Sequence, residues 1–201
     1  MTRESSRMSG SWDEYAAEWD SNDSVIAYAD NAYLALKDTV ELEGSRIFDF
    51  GCGTGLLTER LSSTASLVVA LDPSQKMIPV LENKRLKNVA TIASELDQNL
   101  INDSSLLSPK FDLVVASSAL AFVPDYAKAL KLLKQLLNKG GCLVQWDWLK
   151  EEGDEGYGFT EKQVKSALTE AGFAECSTSV PFALQSDGSA LDVLMGVARN
   201  A

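Results

Sequence analysis

Arg46-Ile47-Phe48-Asp49-Phe50-Gly51-Cys52-Gly53-Thr54-Gly55 carries an apolar strand pattern straight into three alternating glycines, and an amphipathic segment follows. Without a Cβ, glycine reaches positive φ and lets a flat or charged ligand approach main-chain N–H groups, while the next helix aims its positive end at the same place. Val68-Val69-Ala70-Leu71-Asp72 reads as a second buried strand. Its carboxylate stands seventeen residues past Gly55, where the second strand of a βαβ unit offers an acid to ribose hydroxyls. Together the two features imply an adenosine-containing cofactor. Nicotinamide and flavin turns read G-x-G-x-x-G, the third glycine letting helix and strand pack beside a pyrophosphate. Here the spacing is G-x-G-x-G with Leu56 at the last position, which disfavours a dinucleotide.

Working outward, 201 residues with 45% hydrophobic content suffice for one domain with a sizeable core. Eighteen basic against twenty-nine acidic residues give a formal charge of −11, so the long-range field repels nucleic acid and anionic membrane surfaces, and neither is expected as a partner. Cys52, Cys142 and Cys176 form no C-x-x-C pair, which fits a reducing compartment. Histidine is absent, so an imidazole base is excluded, and no metal site is expected. No apolar run approaches the length of a membrane span, and a soluble, cytoplasmic protein is expected.

Residues 1–10 are polar and expected to be disordered. Ser11 with Glu14 makes a capping-box pattern, and Trp12, Tyr15, Ala16 and Trp19 follow at helical spacing, predicting a short aromatic-faced helix. Ile26, Ala29, Tyr33, Leu36 and Val40 stripe a second helix that ends near Gly44. The pattern then predicts strand 46–50, helix 55–63, strand 67–71, helix 74–84, strand 89–92, a polar stretch to Pro109, strand 111–116, helix 125–138 and strand 142–146. Pro79 should kink or restart its helix. Glu151-Glu152-Gly153-Asp154-Glu155-Gly156-Tyr157-Gly158 reads as a mobile acidic loop, and Thr160 with Gln163 as a second capping box on a helix running to Gly172. Strands 178–184 and 192–198 are expected around a turn at Ser186-Asp187-Gly188.

Four pieces in order carry a resemblance: Phe48 to Gly55; Leu71-Asp72-Pro73-Ser74 with Met77; Phe111 to Leu120; and Leu137-Asn138-Lys139-Gly140-Gly141-Cys142-Leu143-Val144. Over roughly residues 44–200 the chain resembles the class I S-adenosylmethionine-dependent methyltransferases of small-molecule type. The resemblance implies an α/β, Rossmann-like, doubly wound, seven-stranded and mostly parallel sheet. An antiparallel C-terminal hairpin would close it, with residues 1–43 as a helical lid segment on a domain spanning 44–201. It implies S-adenosyl-L-methionine as cofactor. Gly51, Cys52, Gly53 and Gly55 would form the approach, and Asp49 would face the methionyl amino group or else cap strand-end amides. Asp72 with Pro73 would hold the ribose or simply cap a helix. Met77 would lie on the adenine or in the core, Glu95 with Leu96 at the adenine edge or else as a solvated loop acid, and Ser117 near the methionyl part. Relatives with histidine near position 121 differ from this chain, which has Ala121 and Phe122.

Methyl transfer from a sulfonium needs alignment more than a strong base, and positioning alone supplies about 7 to 11 kcal/mol in favourable intramolecular cases. Asp147, flanked by Trp146 and Trp148, is the candidate base, with edge packing plus a surface acid as its alternative. Tyr15 and Tyr157 are hydrogen-bonding candidates. The aromatic residues Trp12, Tyr15 and Trp19 would form a lid or dock on the sheet. The expected activity is transfer of a methyl group to a small-molecule acceptor. A non-catalytic cofactor-binding or partner-activating subunit is the alternative, and a nicotinamide oxidoreductase is disfavoured by the glycine spacing and missing histidine.

Overall fold

The computed structural model describes residues 12–186 and 189–201, the side chains of 186 and 189 apart. The N-cap expected at Ser11 and the turn expected at Ser186-Asp187-Gly188 lie outside the described residues. Strands β1 (Arg46–Phe50), β2 (Leu67–Asp72), β3 (Val89–Ala93), β4 (Phe111–Ser117), β5 (Leu137–Trp148), β6 (Ala174–Ser186) and β7 (Ser189–Arg199) form one sheet in the order 3-2-1-4-5-7-6. The pairings among β1 to β5 are parallel, and β7 lies antiparallel between β5 and β6. This is the seven-stranded, doubly wound sheet expected from the sequence.

The continuous apolar runs follow from burial on both faces, the usual state of a parallel sheet. Side chains alternate along each strand. Ile47, Val68, Val115 and Val144 accordingly enter one core, while Phe48, Val69, Val114 and Leu143 enter the other. Helices α1 (Asp23–Lys37) and α2 (Leu56–Leu61) cover the first face through Ala32, Leu36, Leu57 and Leu61. After α3 (Met77–Asn83) and α4 (Gln98–Asp103), helices α5 (Tyr126–Leu136) and α6 (Glu161–Glu170) cover the second face through Leu130, Leu133, Val164 and Leu168. Asn22 caps α1 by accepting from Ser24 N at 3.0 Å, and the Thr160–Gln163 capping box closes both of its bonds.

Departures from expectation have local causes. Residues 13–18 form successive turns, with Tyr15 N donating to Trp12 O and Glu18 N to Tyr15 O, and Trp19–Ser21 is a single 3-10 turn rather than part of an α-helix. Two acids draw this segment elsewhere. Asp13 accepts from Ser74 Oγ and Lys76 N, while Asp20 accepts from Thr54 Oγ1 and pairs with Lys84 at 3.0 Å. The polar stretch before Pro109 holds α4, whose N-cap Asp97 accepts from Leu100 N at 2.7 Å, and a 3-10 turn at Ser105–Leu107. Leu96, Leu100, Ile101 and Leu106 anchor it on the core between polar residues that mask the period. Pro79 falls in the first turn of α3, where its missing N–H has no intrahelical acceptor to lose.

Candidate active site

A cavity of about 540 Å³ opens over the carboxyl ends of the strands, where β1 and β4 leave in opposite directions along the sheet. That is the switch point at which doubly wound sheets bind ligands. Asp49, Gly51, Cys52 and Gly53 line it from β1 and its turn, Asp72, Pro73 and Met77 from β2, Glu95 and Leu96 from β3, and Ser117 from β4. All ten were singled out in the sequence.

The turn after β1 is built by close packing. Gly51 has φ +71°, and a Cβ there would stand 2.4 Å from Cβ of Ala119 in the loop after β4. The loops of β1 and β4 therefore touch through a missing side chain. Gly55, by contrast, does not line the cavity. It sits at the N-cap of α2 with φ +81°, and Leu81 of α3 fills the place of its Cβ at 2.3 Å. The place of its Cβ is thus taken by packing between α2 and α3.

Asp72 Oδ2 accepts from Gly53 N at 2.9 Å and Oδ1 from Ser74 N at 2.8 Å, so one carboxylate ties the turns after β1 and β2 together. Burial raises its pKa, partly offset by these two amide bonds. Asp49 is the more exposed to imbalance. Its Oδ2 accepts from Thr58 Oγ1 at 2.6 Å, but its buried Oδ1 has no hydrogen-bond partner. Burial pushes Asp49 up to about 7, with the Thr58 bond opposing and the Asp72 charge assisting. Burial, then the charges of Asp49 and Asp72, raises the Cys52 thiol well above its usual range, so Cys52 is a neutral wall residue and no nucleophile.

None of the candidates Asp147, Tyr15 and Tyr157 lines the cavity. Asp147 lies on a strand flanked by β4 and β7, is 1% exposed, and accepts from Ala121 N at 3.1 Å and Gln145 Nε2 at 3.2 Å. It is neither a surface acid nor open to a ligand; it pins the loop after β4. Tyr15 is 53% exposed and packs at its ring against Trp12 and Trp19, which do line the cavity. Tyr157 also lies off the lining, against Phe122 at 4.5 Å between centroids.

Three features escaped sequence reasoning. Asp13 and Asp20 strap residues 12–21 across the turns after β1 and β2, and their only signal is proximity to the aromatic cluster. Thr58 supports Asp49 from one turn into α2. Tyr28 of α1 lines the cavity, is 7% exposed, and its hydroxyl has no hydrogen-bond partner.

Burial raises Asp147 to about 8, against the two bonds it accepts. A carboxyl held protonated in the fold contributes stability that is full below its unfolded pKa of about 3.9 and is lost as pH climbs through its folded value. Thermal melting across pH 5 to 9 should therefore show Asp147→Asn gaining on the wild type from pH 5 up to about 8 and levelling off above it. A difference that does not change with pH would contradict this.

Residues 48–143 match the model of a family described as a methyltransferase domain. That match takes in just under half of the chain, and the sequence relatives are methyltransferases as well. The chain is 30% identical over 142 residues to an uncharacterized methyltransferase of Schizosaccharomyces pombe, covering 68% of this chain and 50% of that protein. It is 33% identical over 104 residues to a ubiquinone biosynthesis O-methyltransferase of Alkalilimnicola ehrlichii, covering 51% of this chain and 41% of that protein. The chain thus spans half or less of these curated relatives. Among solved folds, the DhpI–SAH complex superposes with TM-score 0.72 at 21% identity, over 96% of this chain and 95% of that one. The magnesium protoporphyrin IX methyltransferase of Synechocystis PCC 6803 with bound SAM superposes with TM-score 0.65 at 19% identity, over 89% and 80%.

The family's cofactor is S-adenosylmethionine, and the residues present fit it. A cation at the unpartnered Asp49 oxygen would balance a buried charge, and the glycine turn leaves main chain rather than side chain against the cavity. Among the described residues no helix is long and apolar enough to cross a membrane.

Proposed function

We propose that this protein is a methyltransferase that moves a methyl group from S-adenosylmethionine to a small-molecule acceptor. The observation that carries the proposal is the unpartnered, buried oxygen of Asp49 beside the Gly51–Gly53 turn, one strand from Asp72. When bound, the cofactor supplies a methyl carbon activated by the neighbouring sulfonium. Asp49 would pair with the methionyl ammonium, Asp72 would accept from the ribose hydroxyls, and Met77 with Leu96 would cover the adenine, with Glu95 at its edge. Ser117 would contact the methionyl part. Charge pairing at Asp49 requires its ionised form, so ligand binding and loss of its proton go together.

The acceptor would be small and ring-bearing, because aromatic and aliphatic side chains dominate the wall beyond the polar turns: Trp12, Trp19, Phe122, Trp148 and Leu184. An oxygen acceptor is in keeping with relatives named as O-methyltransferases. The test is transfer of labelled methyl from S-adenosylmethionine to a panel of phenols, amines and thiols. Label in at least one product class is expected. Bound cofactor with no transfer to any class would favour the second reading, a cofactor-binding subunit that works through a partner. That reading draws on the absence of histidine and on a structural neighbour, at TM-score 0.75 and 18% identity, solved with the Haloferax volcanii Trm112 methyltransferase activator.

A further inference from the structure

The cavity has two chemically distinct halves. Over β1, β2 and β3 stand Asp49, Asp72, Glu95 and the amides of the glycine turn. Over β4, β5 and β6 stand Ser118, Trp148 and Leu184, with Val25, Tyr28 and Ala29 of α1 across from them. Asp125 and Lys128, from the loop after β4 and the first turn of α5, add charge to the cavity wall, while these six residues carry none. Their side-chain polar groups are the hydroxyls of Ser118 and Tyr28 and the indole N–H of Trp148, and the Tyr28 hydroxyl is unsatisfied.

Tyr28 is fixed on three sides. Its ring meets Trp148 edge-on at 5.4 Å and Phe182 at 5.5 Å between centroids, and the helix behind it is locked by Ala32 and Leu36 on the sheet. The Ser118 side chain lies beside its hydroxyl without meeting hydrogen-bond geometry. Ser118 is itself unusual, a non-glycine residue at φ +53° directly after β4, held there by its N–H donating to Trp146 O at 2.7 Å. Non-glycine residues in that region cost energy and gather where a ligand is handled. Buried tyrosine hydroxyls nearly always find a partner. A partner delivered by a ligand would satisfy this one.

We infer that Tyr28 is a polar contact of the methyl acceptor, and that the acceptor is an aromatic molecule whose hydroxyl hydrogen-bonds Tyr28 while its ring lies against Trp148 and Leu184. This rests on the methyltransferase reading above. Burial and the nearby Asp147 carboxylate keep the phenol protonated well above its ordinary range, so Tyr28 has a proton to donate and lone pairs to accept with. Tyr28 is thus a positioning residue that selects for the hydroxyl; the methyl group itself passes between ligands.

The test uses protein saturated with S-adenosylhomocysteine and two matched probes, 4-propylphenol and 4-propylanisole, titrated by calorimetry or NMR. Tyr28→Phe should weaken 4-propylphenol about tenfold, the factor for one hydrogen bond. It should leave 4-propylanisole and S-adenosylhomocysteine unchanged. The same variant without ligands should melt higher than wild type, because it removes a buried hydroxyl that has no partner. Leu184→Trp should exclude both probes and spare S-adenosylhomocysteine. Equal affinity of the phenol for wild type and Tyr28→Phe, or no binding of either probe to wild type, overturns the inference. So does a lower melting temperature, which would mean that the hydroxyl is already bonded, or a tenfold loss of S-adenosylhomocysteine, which would make Tyr28 a cofactor contact. Failure of wild type to bind S-adenosylhomocysteine at all would instead remove the methyltransferase reading beneath it.

Discussion

Asp72→Ala should weaken S-adenosylhomocysteine by roughly a hundredfold or more, since charge-assisted hydrogen bonds of the kind expected to the ribose are worth about 1.5 to 3 kcal/mol each and tenfold in affinity is about 1.4 kcal/mol. The geometry adds a second route to the same loss. Asp72 also accepts from Gly53 N and Ser74 N, so its removal frees the turn after β1 from the turn after β2 and leaves two amides without their acceptor. Asp72→Asn separates the routes, because an amide oxygen still accepts from one N–H but carries no charge. An intermediate loss of about tenfold is expected for it, in the range of one charge-assisted bond. Calorimetric titration reads both variants, and a change below threefold for Asp72→Ala would contradict the role given to this carboxylate.

Gly51→Ala carries the largest expected effect on the fold. The new methyl group would stand 2.4 Å from Ala119 Cβ, and the backbone would keep φ +71°. Left-handed backbone costs a non-glycine residue about 1 to 2 kcal/mol, and overpacking adds about 1 to 3 kcal/mol. For a chain of this size each kcal/mol moves the melting temperature by about 2 to 4 °C, so a fall of roughly 5 to 15 °C is expected. Cofactor binding should fail as well, because the loops after β1 and β4 must part to admit the methyl. Gly53→Ala is the control: a Cβ there meets nothing within 4 Å, so only its φ of +55° opposes the change. Its melting temperature should fall by no more than about 2 to 8 °C, the backbone part alone. Equal effects at the two positions would refute the packing account.

Much of this was legible in the residues. β1 is found at Arg46–Phe50 and β2 at Leu67–Asp72, because unbroken apolar runs closed by glycine or by an acid with proline leave few alternatives. Ten of the predicted cavity residues come together for the same reason: strand ends and the turns that follow them are fixed by the sheet. What was not legible depends on contacts between distant segments. Trp12, Tyr15 and Trp19 keep a helical period, yet hydrogen bonds of Asp13 and Asp20 to the turns after β1 and β2 hold the backbone in turns. Gly55 shares its spacing with two cavity-lining glycines, and only the position of Leu81 on α3 shows that it faces a neighbouring helix. Asp147 between two tryptophans reads alike at an edge or at the centre of a sheet, and the arrival of β7 beside β5 decides for the centre. Tyr28 belongs to an apolar stripe that a helix on a sheet fully explains, so its missing hydrogen bond has no trace in sequence.

The most direct test of the central claim is titration of wild-type protein with S-adenosylhomocysteine near neutral pH, with NADH as the comparison ligand. One molecule bound per chain in the micromolar range, with no heat from NADH, is the predicted result. A flat titration with S-adenosylhomocysteine, or binding of NADH in its place, would contradict the account.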